Sequence, residues 1–285
     1  MTRVAAVQMV STPEVEHNLA TARRLVGEAA AGGATLVTLP EYWPIMGMSD
    51  LDKVRRAEPE GAGPIQDCMA SLAREHGIWL IGGTLPLTSA ESGKVLNTTL
   101  VYDPQGAPVG RYDKIHLFGF NKGAESYDEA RTIVPGEAVG SFEAPFGRVG
   151  LSVCYDLRFP ELYRAMGECA LIVVPAAFTH TTGRAHWEVL LRARAIENQC
   201  YVLASAQGGT HANGRRTFGH SMLVDPWGEV KDVLREGEGV VSGELDPAFL
   251  ASVRESPPYE HPRPHRWNRG GYGTMPESTR DTNAK

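Results

Sequence analysis

Short apolar runs alternate along the chain with longer segments in which apolar residues recur every third or fourth position, a pattern that predicts strands and helices in turn. "RVAAVQM" reads as a buried strand. Thr12 and Pro13 then supply an N-cap and a first-turn proline, and Val15, Leu19, Leu25, Val26 and Ala29 mark one face of a helix that stops at Gly32 and Gly33. "ATLVTLP" is a strand that delivers Glu41 at its carboxyl end. A helix near Ile65 to His76 follows, then strands in "IWLIGGTLPL" and "KVLNTTLVYDP", and another in "PVGRYDKIHLF" that carries Lys114.

From Asn121 to Gly136 the chain is polar and without period, which predicts a functional loop. Strands over Gly140 to Ala144 and Arg148 to Val153 lead to Cys154, and Pro160 with Glu161 opens a helix. "LIVVPAAF" is the next buried strand. Residues 185–198 predict a helix in which Val189, Ala193 and Ile196 share a face and Glu188 meets Arg192 at i,i+4. "QCYVLASAQ", "TFGHSMLVDPWGEV" and "GVVSGELD" complete the strands, with a hairpin turn at Asp-Pro-Trp-Gly. The alternation is that of one α/β domain over residues 1–256. Residues 257–285, rich in Pro, His, Arg and Gly, cannot build a core and are expected to pack across a subunit partner.

Composition narrows the function. With 285 residues, 42% hydrophobic and 22% charged, the chain is an enzyme-sized globular protein, and a net charge of −6 gives no basic footprint for nucleic acid or anionic membrane. It lacks a spanning apolar run, and the apolar start at Met1 is too short for a secretory signal, so the expected compartment is the cytoplasm. Cys68, Cys154, Cys169 and Cys200 show no CxxC and no zinc spacing, so reduced thiols are expected. No metal and no cofactor is expected: GxGxxG, Walker and HExxH patterns are missing, and prolines break the His261–His265 pair.

Three residues carry candidate chemistry. Cys154 is either a small core side chain or a nucleophile at a strand's carboxyl end, where the start of a following helix would favour a thiolate. The Tyr155 N–H would then face a developing oxyanion. Glu41 in "LPEYWPI" is either solvated or a general base with a pKa raised by its aromatic surroundings. Lys114 in "RYDKIHLF" is either an edge charge or a stabiliser of a tetrahedral intermediate.

Taken together, "LPEYW", "YDKIHLF" and "VGLSVCYDLRFPEL", in this order and each at a strand end, resemble the three motifs of the nitrilase, or carbon–nitrogen hydrolase, superfamily, from Val4 to about Leu245. The resemblance implies a four-layer α-β-β-α sandwich, single-domain, pairing into homodimers or higher homo-oligomers. It implies that Cys154 attacks a C–N carbon, that Glu41 moves the proton, and that Lys114 with the Tyr155 N–H holds the oxyanion. A thioester then hydrolyses to release a carboxylic acid, ammonia being the leaving group. A second glutamate is expected at Glu129 in "DEARTIVPG", with Ala130 where the family commonly has serine.

The residues after the cysteine, Tyr-Asp-Leu-Arg-Phe-Pro-Glu, are most similar to amidases acting on deaminated glutathione and next to omega-amidases acting on 2-oxo dicarboxylic acid monoamides. N-carbamoyl amino acid hydrolase and nitrilase are further alternatives, and a non-catalytic scaffold is the reading from a different class. The implied partner is a small anionic amide. Arg158 matches the family position that binds a substrate carboxylate, against the alternative of a structural pair with Asp156, and Phe178 and Thr182 match pocket positions. "HLFGFNKGAESYDEAR" departs from those relatives by inserting Gly119 and extra polar residues at the pocket's edge. A papain-like reading would call on His180, His186 or His220, and "GHSML" lacks the glycine of a serine nucleophile elbow.

Overall fold

Strands covered on both faces are apolar at most positions, and two sheets of such strands pack together here. The computed structural model describes residues 1–122 and 125–255. The first half supplies β1 (Thr2–Gln8), α1 (Val15–Ala31), β2 (Leu36–Thr38), α2 (Asp52–Arg55), α3 (Pro64–His76), β3 (Trp79–Ile81), β4 (Leu85–Thr88), β5 (Val95–Tyr102) and β6 (Pro108–Asp113). A hairpin of β7 (Gly119–Lys122) and β8 (Glu125–Asp128), a 3₁₀ turn at Glu129–Arg131 and β9 (Ile133–Val134) follow. Apart from the β7–β8 hairpin, which is a two-stranded sheet of its own, these strands, closed by β16 (Gly239–Leu245), form a sheet in the order β16-β1-β2-β3-β5-β4, with β6 and β9 also on β5.

Side-chain alternation along this sheet explains the layers. Val4, Ala6, Leu36, Ile81 and Val101 point into the core shared with the second sheet. Their neighbours Ala5, Val7, Val37, Leu80 and Leu100 pack under α1 and α3, against Leu25, Val26, Met69 and Leu72. Each Val, Leu, Ile or Met side chain among them contributes roughly 1.5–3 kcal/mol by leaving water.

The second sheet runs β10 (Gly140–Ala144), β11 (Gly147–Leu151), β12 (Leu171–Ala176), β13 (Tyr201–Ala206), β14 (Ser221–Val224), β15 (Val230–Leu234). Its outer face is covered by α4 (Pro160–Ala165) and α5 (His180–Asn198), which bury Leu162, Tyr163, Trp187 and Leu191. The result is a four-layer α-β-β-α sandwich. In each sheet the central strands are parallel, β1-β2-β3 and β11-β12-β13, so their carboxyl ends form one edge apiece. Functional groups collect there.

Several local expectations change. The N-cap of α1 is Glu14, and Thr12 lies two residues earlier, its hydroxyl accepting the Glu14 N–H at 3.2 Å. "IWLIGGTLPL" is two strands, because Gly82 and Gly83 turn the chain between β3 and β4. Residues 121–136 are not an irregular loop throughout: β7 and β8 pair, Phe120 opposite Tyr127. On α5 the buried residues are Trp187, Leu191, Arg194 and Ala195, whereas Val189 and Ile196 are exposed. The heavy Trp187, whose indole donates to the His220 carbonyl at 2.8 Å, sets the buried face. Helix α6 (Pro247–Glu255) was not foreseen in the pattern. The tail at 257–285, with His261 and His265, lies outside the described residues.

Candidate active site

Glu41 sits three residues beyond β2, in a turn that local bonds over-determine. The Tyr42 backbone is left-handed at φ 57°, and its N–H donates to Thr84 Oγ1 at 2.9 Å. Gly83 permits the close approach, since a side chain there would meet the carbonyl oxygens of Leu39 and Pro40. Trp43 plugs the turn from below, donating to the Gly82 carbonyl at 2.8 Å.

The Glu41 carboxylate is fully buried, but the aromatic residues around it do not leave it bare. Oε1 accepts from Lys114 Nζ at 2.8 Å and Asn97 Nδ2 at 3.0 Å, and Oε2 accepts the Ala177 N–H at 2.8 Å. Ala177 directly follows β12, so this last bond ties the edge of one sheet to the edge of the other.

Lys114 follows β6 and is also fully buried. Gly136 holds its backbone by donating to the Lys114 carbonyl, at a position where a Cβ would collide with Asp113. Its ammonium reaches both oxygens of Glu129, at 3.0 and 2.8 Å, as well as Glu41. Burial alone would strip the proton from this amine; the carboxylates of Glu129 and Glu41 outweigh it and hold the pKa above the ordinary lysine value. Glu129 shows the converse: burial works against its charge, but Lys114 and the Phe118 N–H, at 2.8 Å, hold its carboxyl below the usual range. The Tyr42 hydroxyl adds a donor to Glu129 at 2.7 Å.

Cys154 opens a five-residue 3₁₀ turn, Cys154–Arg158, rather than an α-helix. Little helix dipole acts there, and the thiol is not acidified. Burial raises its pKa well above the ordinary value, Glu41 and Glu129 add to the rise, and Lys114 opposes it. At rest the sulfur is a protonated thiol. Its backbone is left-handed at φ 49°, a conformation that costs roughly 1–3 kcal/mol for a residue with a side chain.

Asp156 holds that strained turn. Its buried carboxylate accepts from the Val153 N–H at 2.8 Å, the Tyr112 hydroxyl at 2.7 Å and the His116 N–H at 3.1 Å, and His116 Nδ1 lies at 2.7 Å. Tyr112 and His116 flank Lys114 by two residues on either side. Asp156 therefore keys the cysteine turn to the lysine segment. The contact lies across about forty residues of chain, and the only sequence signal was its place two after Cys154.

Arg158 is not paired with Asp156. Its guanidinium lies 5.3 Å from the Phe178 ring centre and 5.8 Å from that of Tyr155, and Nη1 is 3.2 Å from His186 Nδ1. Cys154, Tyr155, Phe178, Thr182, Phe118 and Glu129 line one narrow cavity. Thr182 is the N-cap partner of Thr179, its N–H donating to Thr179 Oγ1. The segment after Lys114 borders the same space through Phe118, 5.3 Å from the Tyr155 ring, and Tyr127 lies 5.8 Å from Phe118. His180, His186 and His220 do not line the cavity. Ser221 is buried in β14 and accepts the Ala206 N–H.

Sequence reasoning missed Arg215, which also lines this cavity and donates to the Ala177 carbonyl. Nothing in "NGRRTFGH" sets it apart from its neighbour Arg216. Among the described residues no group of three or more His, Cys, Asp or Glu side chains is placed to hold a metal ion. No helix among them is long and apolar enough to cross a membrane.

Comparison with known proteins agrees with this architecture. A carbon-nitrogen hydrolase family model matches residues 3–255. A deaminated glutathione amidase of Synechocystis is 40% identical over 260 residues, covering 89% of this chain and 95% of that protein. An omega-amidase of Xenopus tropicalis is 38% identical, covering 92% of this chain and 95% of its own. Among solved structures, Saccharomyces cerevisiae Nit3, described as a member of branch 10 of the nitrilase superfamily, superposes with a TM-score of 0.82 at 30% identity over 92% of this chain and 96% of Nit3.

Proposed function

The chain belongs to the carbon–nitrogen hydrolase family, and from that premise we propose that it is an amidase for small anionic amides of the deaminated glutathione kind, with Cys154 as nucleophile. The observation that carries the reading is the buried Glu41–Lys114–Glu129 cluster beside the buried Cys154, whose thiol pKa is pushed up by burial and by the Glu41 and Glu129 carboxylates. One ammonium between two carboxylates leaves the cluster with a surplus negative charge. A resting thiolate would add a second, so the sulfur gains its charge only as a base takes its proton.

Glu41 is that base. As the Cys154 sulfur attacks the amide carbon, the thiol proton passes to Glu41 and the carbonyl oxygen becomes an oxyanion. Protonation weakens the hold of Glu41 on Lys114, so an ammonium N–H is released as the oxyanion needs it. The Tyr155 N–H is the second donor. Collapse breaks the C–N bond, and Glu41 returns its proton to the departing nitrogen. A primary amide releases ammonia; deaminated glutathione, a peptide amide, releases an amine. Water then attacks the thioester with Glu41 again as base, giving the acid and restoring the thiol. Glu129 keeps Lys114 charged and aimed throughout.

Arg158, supported on Phe178 and Tyr155, is read as the clamp for the substrate carboxylate, with Thr182 lining the same cavity as those two rings. The relatives named for deaminated glutathione support that substrate. A homo-oligomer is supported by Val189, Ile196 and Trp227, exposed and apolar around the contact of α5 with Gly228. Four free, buried cysteines fit a reducing cytoplasm.

The test compares kcat/KM, read as carboxylic acid formed, for deaminated glutathione, 2-oxoglutaramate, an N-carbamoyl amino acid and a simple nitrile. Deaminated glutathione is expected to be hydrolysed best. A nitrile or carbamoyl compound in first place would overturn the reading.

A further inference from the structure

A chamber of about 540 Å³ opens beside the cavity at Cys154, and Phe118, Glu129 and Arg215 line both. Its charged groups are mostly engaged. Glu129 is held by Lys114, Asp128 accepts the Ala130 N–H at 3.2 Å, and Arg216 lies 3.6 Å from Glu236. Lys53 is largely buried, 3.1 Å from Thr132 Oγ1 and only loosely paired with Asp50 at 3.5 Å.

Arg215 is different. One guanidinium nitrogen donates to the Ala177 carbonyl at 2.6 Å, and the group lies 5.2 Å from the Tyr127 ring centre. Among the described residues it has no carboxylate partner, and its Nε is buried with no acceptor. A buried donor left unpaired is costly, and a cation at the wall of a continuous cleft is where an anionic ligand group would repay it.

We propose that Arg215, with Lys53 in the same chamber, receives a second carboxylate of the substrate, so that the enzyme selects elongated amides anionic at both ends. Arg158 takes one end and Arg215 the other, and the scissile bond lies between them at Cys154. This rests on the reading of Cys154 as the reacting centre. Deaminated glutathione, with a 2-oxo acid at one end and a glycine carboxylate at the other, has the required form. A short monoamide reaches only one arginine.

Calorimetry tests this with deaminated glutathione and its C-terminal carboxamide, which differ only in the distal charge. Both are titrated into Cys154→Ala protein and into the same protein carrying Arg215→Met or Arg215→Lys. With Arg215 present the free acid should bind about 10- to 100-fold more tightly than the carboxamide, the range of a charge-assisted pair. Arg215→Met should reduce that ratio to less than about threefold, and Arg215→Lys should keep part of it. A purely structural Arg215 would weaken both compounds alike and leave the ratio unchanged. An unchanged ratio, equal affinities with Arg215 present, or no binding at all overturns the proposal. Failure of the Cys154 reading would show separately, as turnover surviving in Cys154→Ala.

Discussion

The cations around Cys154 fall into two kinds. Lys114 is fully buried and every donor it has is aimed at a carboxylate, whereas Arg215, which lines the cleft, and Arg158, which rests against the Tyr155 and Phe178 rings that line it, have no carboxylate partner among the described residues. On the proposed reading, a charge used in bond-making is fixed in advance by the protein's own counter-ions, and a charge used in recognition is left for the ligand to complete. Changes at the inner cation should therefore cost turnover and stability together, and changes at the outer ones mainly affinity.

Lys114→Met is the hardest blow to that distinction. It leaves Glu41 and Glu129 buried without their shared cation, so kcat should fall on the order of 10³-fold and stability by about 3–5 kcal/mol. Steady-state kinetics and urea denaturation measure the two. Loss of affinity alone, with kcat and stability intact, would place Lys114 among the outer cations.

Glu129→Gln keeps the shape and removes one charge. We expect a fall in kcat of about 10²-fold and a change in acid stability whose sign is fixed. Lys114 holds the Glu129 carboxyl below its ordinary range, so the folded state binds that proton more weakly than the unfolded state does. The stabilisation is complete above about pH 4.3 and fades as the pH falls toward the depressed value. The variant should therefore lose less stability than wild type between pH 5 and lower values, followed by denaturation at each pH.

How much of this was legible in the sequence depended on chain distance. Glu41, Lys114 and Cys154 each stand just beyond a strand, and local apolar patterning finds strands. The same patterning misjudged α5, because spacing gives the period of a helix but not which apolar stripe is covered: Trp187 and Leu191 face the sheet and Val189 does not. The expected helix-dipole activation of Cys154 also failed, since a 3₁₀ turn and a buried site reverse the sign of the shift. The roles of Asp156 and Arg215 rest on contacts with Tyr112 and Ala177, and no local pattern encodes those.

Asp156→Asn probes the support beneath both kinds of cation. Losing a buried acceptor with several donors should cost about 2–3 kcal/mol of stability. With the cysteine turn and the lysine segment no longer keyed together, kcat should drop about tenfold while KM moves little. The smallest effect belongs to Arg158→Met, expected to raise KM for an anionic amide by about tenfold with kcat within a few-fold of wild type. If Arg158→Met instead lowered kcat as far as Lys114→Met does, the division between fixed and waiting charges would not hold.

Rapid-quench mass spectrometry reads covalent chemistry at Cys154 itself. Enzyme mixed with deaminated glutathione and quenched in acid should carry a mass increase equal to the substrate's acyl group, located on the peptide containing Cys154. Cys154→Ala should show no adduct and turnover at least about 10⁴-fold lower. An acyl group found on any other residue, or turnover in Cys154→Ala within tenfold of wild type, would contradict the account.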